Sequence, residues 1–586
     1  MRKWQAMRKK NWKETWYLLG IWGILFAFFQ FGIHRICGFS IYPDEFGYWA
    51  TAAKWNGYDW SACASLGSYY SFGYSGVLAV ILRICGSKLE AYRAAIVLNV
   101  VLQGATVPLL WKLLNMLFAE LDKQKVLLFT AIAVFYPPWL LYMQMTLTEA
   151  LLFFLYILLL SVFASFLQRP CVWKCIFFEG IILYIYFVHM RTVGVFVAGV
   201  LTMLLMAISD RRYRRPVGIG ICVGIVGMAV GAMVKQDIMG SVYGHATQDL
   251  LATNDYGGQW AKIRQLVQWS HFVKLLESLA GKLFYVGMAT YGMFYFAMAF
   301  CVRRVKTMLS GMRNKQKVSW EAYLATFLML SAMLQIGISA VYMAEATRMD
   351  TVVYGRYNDF LLPVWIGIGM AQLSQVSRKI CRYAGIAVWN GLLLLVTLHR
   401  AQNLDPHSMQ GYFAAGISYP WKNAAFVFPD GFVLAYVVGL CLSVMMLVGI
   451  FLIERRSNML WVASILLGMQ IGLGILLSYR YVYLFNEINR LNLRVTDWIE
   501  QNVDETETVW YLDEGGMPYI DLLQFYLPDR EIQIIAGEDM PDLQGDGYLI
   551  VAWRSERIKD IVREERLQVE GTNFELYRLE DLRKYN

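Results

Sequence analysis

The chain has 586 residues, of which 58% are hydrophobic and 17% are charged, and its formal net charge is +9. Soluble proteins carry about 25% charged residues, so this composition excludes a soluble globular protein and indicates a membrane protein with many spans. The positive charge does not indicate nucleic-acid binding, because the basic residues lie in short segments between apolar runs, where they determine membrane topology.

The N-terminal residues 1–13 are strongly basic, which predicts that the N-terminus lies in the cytoplasm. The first apolar run, residues 16–37, is long enough to span a membrane and has no clear small-residue cleavage site. Two amphipathic segments, 44–56 and 72–86, are too short to span and are predicted to lie flat in the interface. Further spans are predicted near 91–118, 126–145, 147–167, 172–189, 192–208, 216–234, 283–302, 320–343, 359–375, 379–398, 432–453 and 459–480.

These runs predict a polytopic α-helical protein of the cell (cytoplasmic) membrane with about 13 spans. Every second loop is basic, as expected for loops that stay inside. An odd number of spans places the C-terminus outside the cell, together with the first outer loop, residues 38–90. The loops assigned inside contain Lys123, Lys125, Arg169, Lys174, Arg211, Arg212, Arg214, Arg215, Arg303, Arg304, Lys306, Arg313, Lys315, Lys317, Arg378, Lys379, Arg382, Arg455 and Arg456.

Two adjacent carboxylates, Asp44 and Glu45, follow the first span within an aromatic stretch. Ionisable groups at the edge of a membrane are costly, so a functional site is the first hypothesis for them. The alternative is a solvated helix start after Pro43, where the positive end of the helix dipole favours acidic residues.

The other loops assigned outside carry ionisable groups of both signs, which predicts a pocket at the outer face. Such a pocket is suited to group transfer from a lipid carrier. A carboxylate can take the proton of the acceptor hydroxyl, and arginine binds the phosphate oxygens of the donor in a bidentate way. The predicted catalytic residues are Asp44 and Glu45, and the predicted donor-phosphate ligands are Arg191, Arg348 and Arg356. The predicted substrate pocket contains Tyr48, Tyr74, Glu149, His189, Tyr354 and Tyr357.

Three of these residues also have structural explanations that stay open. Arg356 could be an interfacial anchor at the end of a span. His189 could be a buried histidine that only forms hydrogen bonds, and Glu149 could cap a helix start after two threonines. The nine cysteines show no spacing that is typical of a metal site.

The composition becomes polar after about residue 487, which predicts a small α/β domain outside the membrane. We therefore divide the chain into a transmembrane domain, residues 1–486, and a soluble domain, residues 487–586. Strands alternating with helices favour a mostly parallel sheet. Strands are predicted at 508–512, 531–535, 547–552 and 574–578, and helices at 488–503, 518–527 and 555–565.

In their order along the chain and their common location on the outer side of the membrane, these motifs resemble those of the GT-C class of membrane glycosyltransferases. That class includes the protein O-mannosyltransferases and the aminoarabinose transferase of lipid A. Members of that class carry an acidic motif in the first outer loop, the place that Asp44-Glu45 occupies here. The Tyr69–Gly76 stretch, Glu149, the Arg191-Thr192-Val193-Gly194 element and the Arg356-Tyr357 pair before Pro363 look like further elements of the class, and so does the C-terminal domain.

The resemblance implies a polyprenyl-phosphate-linked sugar as donor, an inverting transfer and Asp44 as the base. The acceptor would be a glycan, lipid or protein on the outer face. Some members use a divalent metal ion near the acidic motif and others do not, and both alternatives stay open here. The chain departs from the class in having Phe72-Gly73-Tyr74 where many relatives have prolines, and in a long insertion at 399–431.

Three other functions remain as alternatives. A transporter or flippase for lipid-linked saccharides would use the same arginines without a base, but the chain has no internal repeat at half length. A polymerase or ligase of such saccharides would also act outside. Those proteins usually place their key residues in one large late outer loop, so the early acidic loop of this chain argues against that function. A membrane scaffold would leave the buried charges unexplained.

Overall fold

A computed structural model of the chain describes residues 2–246, 264–421, 426–455, 459–515, 519–537, 547–555, 558 and 567–580. Within these ranges the N-terminal part is helical and the C-terminal part contains one small sheet. The helices are α1 (Arg2–Gly32), α2 (Asp44–Trp55), α3 (Ser61–Ala64), α4 (Phe72–Ile84), α5 (Lys88–Leu117), α6 (Lys123–Val134), α7 (Pro137–Tyr142), α8 (Thr148–Gln168), α9 (Val172–Val188), α10 (Val193–Ser209), α11 (Arg211–Ser241), α12 (Trp269–Ala289), α13 (Met293–Arg313), α14 (Trp320–Met343), α15 (Arg356–Asp359), α16 (Leu362–Gln375), α17 (Lys379–Ala401), α18 (Asp430–Glu454), α19 (Met459–Ser478), α20 (Leu484–Asn502) and α21 (Ile520–Tyr526). The strands are β1 (Thr508–Asp513), β2 (Gln533–Ala536), β3 (Gly547–Ala552), β4 (Leu567–Glu570) and β5 (Phe574–Arg578).

In the described ranges, nine helical segments are long and apolar enough to cross a membrane, or ten if the bent pair α12 and α13 is one span. The polytopic helical fold is therefore confirmed, but the predicted count of about 13 spans is not. Three predicted spans account for the difference. The segment 126–145 contains two short helices, of 12 and 6 residues. The helices of the segments 172–189 and 359–375 have 17 and 14 residues, which is also too short for the 18-residue criterion.

Two of the departures from regular helix have a local cause. The predicted span 126–145 is divided at Tyr136, which adopts an extended ψ of 121° directly before Pro137, as a residue preceding proline usually does. The predicted span 283–302 contains a bend of 106° between α12 and α13. At that bend Tyr291 and Gly292 both have left-handed backbone conformations, with φ of 56° and 78°, which a continuous helix cannot contain.

The C-terminal sheet has five strands in the order β2-β1-β3-β5-β4. Strand β1 is parallel to both neighbours, with Tyr511 opposite Ile534 and Ile550, whereas β5 is antiparallel to β3 and β4. The sheet is thus mixed. The four predicted strands are present, β4 was not predicted, and most of the helix predicted at 555–565 falls outside the described residues.

Helix α20 holds the segment that leads from α1 to α2. The amide oxygen of Asn486 accepts hydrogen bonds from the backbone N–H groups of Cys37 and Gly38, both at 2.8 Å. One turn further along, Asn489 donates to the Phe39 carbonyl and accepts from the Tyr42 hydroxyl, both at 2.6 Å. Two buried asparagines three residues apart therefore fix the chain immediately before Asp44.

The part of the chain that contains the sheet and α21, which we call the C-terminal domain from here on, also packs directly against α2. The ring centroid of Phe525, on α21, lies 5.1 Å from those of Phe39 and Trp49 and 6.0 Å from that of Trp60. The Trp60 indole N–H donates to the Pro528 carbonyl at 3.0 Å. These contacts place the domain against the loop that carries Asp44, and we refer to this side of the helices as the domain end of the bundle.

Candidate functional site

Four charged residues from distant parts of the chain meet at the domain end of the bundle. Asp44 is the first residue of α2 and Arg356 the first residue of α15. Glu149 is the second residue of α8, and Arg191 lies in the short helical turn that precedes α10. Two carboxylates and two guanidinium groups thus come together at the starts of neighbouring helices.

Glu149 joins the two arginines. Its Oε1 atom lies 2.5 Å from Arg356 Nε and 2.5 Å from Arg191 Nη2. Arg356 extends the cluster in the other direction, because its Nη1 donates to Asp44 Oδ2. The result is a continuous chain of charge-assisted hydrogen bonds from Arg191 to Asp44.

The four members of this ionic cluster differ sharply in exposure. The side chains of Glu149 and Arg191 are fully buried, and that of Arg356 is 2% exposed. Asp44 is 22% exposed, and its second oxygen, Oδ1, accepts a hydrogen bond from the Tyr70 hydroxyl at 2.8 Å. Asp44 is therefore the member of the cluster that a substrate outside the bundle can reach.

Glu45 occupies a different environment from its neighbour Asp44. Its Oε1 accepts from the backbone N–H groups of Ser40 and Ile41 at 2.7 and 3.1 Å. Its Oε2 accepts from the Tyr92 hydroxyl at 2.6 Å, and from the backbone N–H and hydroxyl of Thr146 at 2.7 and 2.8 Å. Burial raises the pKa of Glu45, although the hydrogen bonds from Tyr92, Ser40 and Thr146 oppose this. Glu45 thus connects the start of α2 to the loop before Glu149 and does not contact the arginines' ionic cluster.

Arg348 lies beside the cluster and is paired separately. Its Nη2 is 2.9 Å from Asp350 Oδ2, and its side chain is 42% exposed. The guanidinium carbons of Arg348 and Arg356 lie 5.0 and 5.4 Å from the ring centroid of Phe413, within cation–π distance. Phe413 therefore contacts both Arg348 and Arg356, the arginine that is paired with Asp44.

The predicted pocket tyrosines surround the charges. The ring of Tyr48 makes edge contacts with those of Tyr70 and Tyr74, at centroid distances of 5.3 and 5.8 Å. Tyr357 lies under Arg191, whose guanidinium carbon is 4.7 Å from the ring centroid, and the Tyr354 centroid is 4.8 Å from that of Tyr357. The site thus has aromatic walls around an ionic centre.

His189 is placed behind this wall. Its Nδ1 accepts a hydrogen bond from the backbone N–H of Arg191 at 3.3 Å, and its ring centroid is 6.3 Å from that of Tyr357. The histidine therefore caps the turn that presents Arg191. Gly194 allows the same turn to approach α14, since a Cβ at that position would lie 3.0 Å from the backbone nitrogen of Gln335.

Some residues of the site were not predicted from the sequence. Tyr70 binds Asp44, and Phe413 lies within the segment that the sequence marks only as an insertion. Asp359 is buried and accepts hydrogen bonds from the hydroxyls of three tyrosines. These are Tyr136 at 3.0 Å, Tyr142 at 3.3 Å and Tyr285 at 2.7 Å. The three tyrosines come from apolar segments 74 to 223 residues away, so no local pattern distinguishes them.

The described residues do not fit a divalent metal ion. No three His, Cys, Asp or Glu side chains come together in the described part of the chain. Asp44 and Glu149, the two acids of the cluster, are both paired with Arg356, so one oxygen of each faces a cation that the protein itself supplies.

A cavity of about 750 Å³ lies at the same end of the bundle, and none of the four residues of the ionic cluster lines it. It lies between α20, residues 406–412 and the C-terminal domain, and its wall includes Tyr412, the neighbour of Phe413, as well as Trp421 and Phe426. It also includes Tyr519, whose ring centroid is 5.3 Å from that of Tyr42, two residues before Asp44. Its lining is mixed, with Arg480 and Glu487 beside apolar residues such as Leu484 and Ile488.

No protein-family model matches the chain, and no curated protein matches it in sequence. Among solved structures, the chain is similar to ArnT from Cupriavidus metallidurans bound to undecaprenyl phosphate, with a TM-score of 0.55 and 13% identity over 96% of this chain and 98% of that one. It is also similar to the same protein in the apo state, with a TM-score of 0.52 and 13% identity over 98% of each chain.

A third similar structure is the archaeal oligosaccharyltransferase AglB from Archaeoglobus fulgidus in complex with an inhibitory peptide and a dolichol-phosphate. Here the TM-score is 0.46 and the identity 10%, over 92% of this chain and 70% of that one. ArnT, an aminoarabinose transferase, is a GT-C class membrane glycosyltransferase. The predicted resemblance to that class is therefore confirmed at the level of the fold, which the ArnT structures cover almost from end to end.

Proposed function

We propose that this protein is a glycosyltransferase that moves a sugar from a polyprenyl-phosphate carrier to an acceptor on the outer face of the cytoplasmic membrane. The observation that carries the proposal is the ionic cluster, in which one exposed carboxylate, Asp44, is paired with a buried arginine. The ArnT structure that shares the fold is described with undecaprenyl phosphate, which supports a polyprenyl phosphate as the carrier here.

In this proposal Asp44 is the general base. It takes the proton of the acceptor hydroxyl, whose oxygen then attacks the anomeric carbon of the sugar. The bond from that carbon to the phosphate oxygen breaks, and its electron pair stays on the phosphate. A single displacement of this kind inverts the anomeric centre.

Arg356 and Arg348 are the proposed ligands of the phosphate. Guanidinium groups bind phosphate oxygens through parallel N–H groups and stabilise the charge that develops on the leaving group. Arg191 is fully buried behind Tyr357, so its proposed contribution is to hold Glu149, which in turn holds Arg356. The cavity beside Tyr412, with its charged and apolar walls, has room for a substrate at the same end of the bundle as Asp44.

The experiment is a turnover assay on the purified protein in lipid with polyprenyl-phosphate-linked sugars, in which release of polyprenyl phosphate is measured. We expect Asp44→Asn to reduce release by about 10²- to 10⁴-fold, the contribution of a general base, while the protein still folds and inserts. Asp59→Asn is the matched control, because Asp59 is an acid of the same loop whose side chain is 54% exposed and is paired with Lys54.

Two results would contradict the proposal. Turnover at the wild-type rate by Asp44→Asn would remove Asp44 from the base role. Movement of the donor across the membrane without release of polyprenyl phosphate would instead favour the transporter alternative, which has no need of a base.

A further inference from the structure

We propose that donor binding and release of the catalytic base are one exchange reaction. The phosphate of the donor takes the place of the Asp44 carboxylate on Arg356, and Asp44 is thereby freed to take the proton of the acceptor. This inference rests on the function proposed above and adds to it an order of events, donor before proton transfer.

The charges of the ionic cluster balance one another. Asp44 and Glu149 neutralise Arg356 and Arg191, and Arg348 is paired with Asp350. The four charges of the cluster already balance, so a phosphate that simply joined them would be an additional anion. Because an unpaired charge is costly in a buried site, one of the carboxylates has to leave when the phosphate binds.

Asp44, and not Glu149, is the carboxylate that leaves. Glu149 is fully buried and binds two guanidinium groups through one oxygen, so its departure would leave both arginines unpaired. Asp44 binds a single guanidinium and is 22% exposed. Its other oxygen keeps the hydrogen bond from Tyr70 after Arg356 is lost, and the N-terminus of α2 favours its negative charge.

The same exchange runs in reverse when the catalytic cycle is completed. The donor is a phosphodiester with one negative charge, so it replaces the departing carboxylate without changing the net charge of the cluster. Transfer moves the acceptor proton to Asp44 and leaves a phosphomonoester, which carries more negative charge than the donor. When Asp44 gives its proton to water, the carboxylate returns to Arg356 and competes with the product phosphate. The same residue thus assists both transfer and product release.

The test measures the affinity of undecaprenyl phosphate for the full-length protein in detergent micelles, with undecaprenol as the uncharged probe. We expect Asp44→Asn to bind undecaprenyl phosphate about tenfold more tightly than wild type, because the competing charged hydrogen bond is gone. Binding of undecaprenol should not change. Asp59→Asn, which removes the same charge elsewhere on the first loop, should behave as wild type.

Equal or weaker binding of undecaprenyl phosphate by Asp44→Asn would overturn the exchange. Asp44→Ser serves the same purpose if the asparagine variant does not fold, since it also lacks the charge. Arg356→Ala separates the two proposals. If it binds the phosphate as wild type does, the donor site and the proposed function fail together. If it binds more weakly while the Asp44 variants do not bind more tightly, only the exchange is wrong.

Discussion

At the scale of single residues, the ionic cluster is a poor way to gain stability. Arg191 is fully buried, and its Nε and Nη1 atoms have no hydrogen-bond partner among the described residues. Each buried donor left without a partner costs about 1–3 kcal/mol, and a buried ion pair is often no more stable than apolar residues of the same volume. An arrangement that is costly for the fold is expected where it serves function.

Glu45 and Asp44 are adjacent but should respond differently to loss of charge. We expect Glu45→Gln to lower the free energy of unfolding by about 1–3 kcal/mol, because the new amide donor would face the Thr146 N–H, another donor. Thermal unfolding in detergent, read together with turnover, checks this. Tyr92→Phe, which removes one of the five hydrogen bonds to Glu45, should have a smaller effect. Full stability with lost turnover in Glu45→Gln would instead support a catalytic Glu45.

The shape of the Arg356 side chain should matter as well as its charge. Its Nε and Nη1 atoms bind two different carboxylates, an arrangement that a lysine cannot reproduce. We expect the dissociation constant of undecaprenyl phosphate to rise about tenfold in Arg356→Lys and about a hundredfold in Arg356→Ala. Equal affinities in wild type and both variants would mean that Arg356 is an interfacial anchor.

At the scale of elements, α2 is held in place by segments that are distant in sequence. Helix α20 and the C-terminal domain bind the segment before it, and Glu45 connects it to the loop before α8. Asp44, at the first position of α2, is therefore positioned mainly by contacts that lie hundreds of residues away in sequence. The C-terminal domain is part of this support.

Phe525 provides the test of that support. It is fully buried between Phe39 and Trp49, so Phe525→Ala should cost about 3–5 kcal/mol of stability and reduce turnover. Phe525→Leu should recover part of both losses. The control is Trp553→Ala in the same domain, where the side chain is 47% exposed and a change within about 0.5 kcal/mol is expected. Unchanged turnover in Phe525→Ala would separate the domain from the site.

At the scale of the whole molecule, the sidedness of the membrane helices is a prediction from the basic loops. Cysteines placed at Arg313 and Glu505, both exposed, report on it after the four exposed natural cysteines are replaced by serine. We expect a membrane-impermeant thiol reagent to label position 505 and not position 313 in intact cells. Labelling of position 313 alone would invert the topology and place the site inside.

Hydropathy and charge were sufficient to predict the fold class, the acidic loop after the first span and the arginines of the cluster, because these are properties of local sequence. They did not reveal the break before Pro137 or the bend at Gly292, where apolar composition continues through an interruption of the helix. They also assigned Glu45 to catalysis, since nothing local shows that Thr146 and Tyr92 occupy its oxygens. That assignment stays a prediction.

The last membrane-spanning helix runs from Met459 to Asn502 over 44 residues, with only a short π-helical stretch at Tyr479–Tyr483. No flexible linker therefore separates the bundle from the sheet. Each residue added to or removed from a helix turns everything beyond it by about 100°. An insertion or deletion between Met459 and Asn486 would therefore turn Asn486 and Asn489 away from residues 37–42 and break their hydrogen bonds. The length of this helix is thus as constrained as the identity of any side chain in the site.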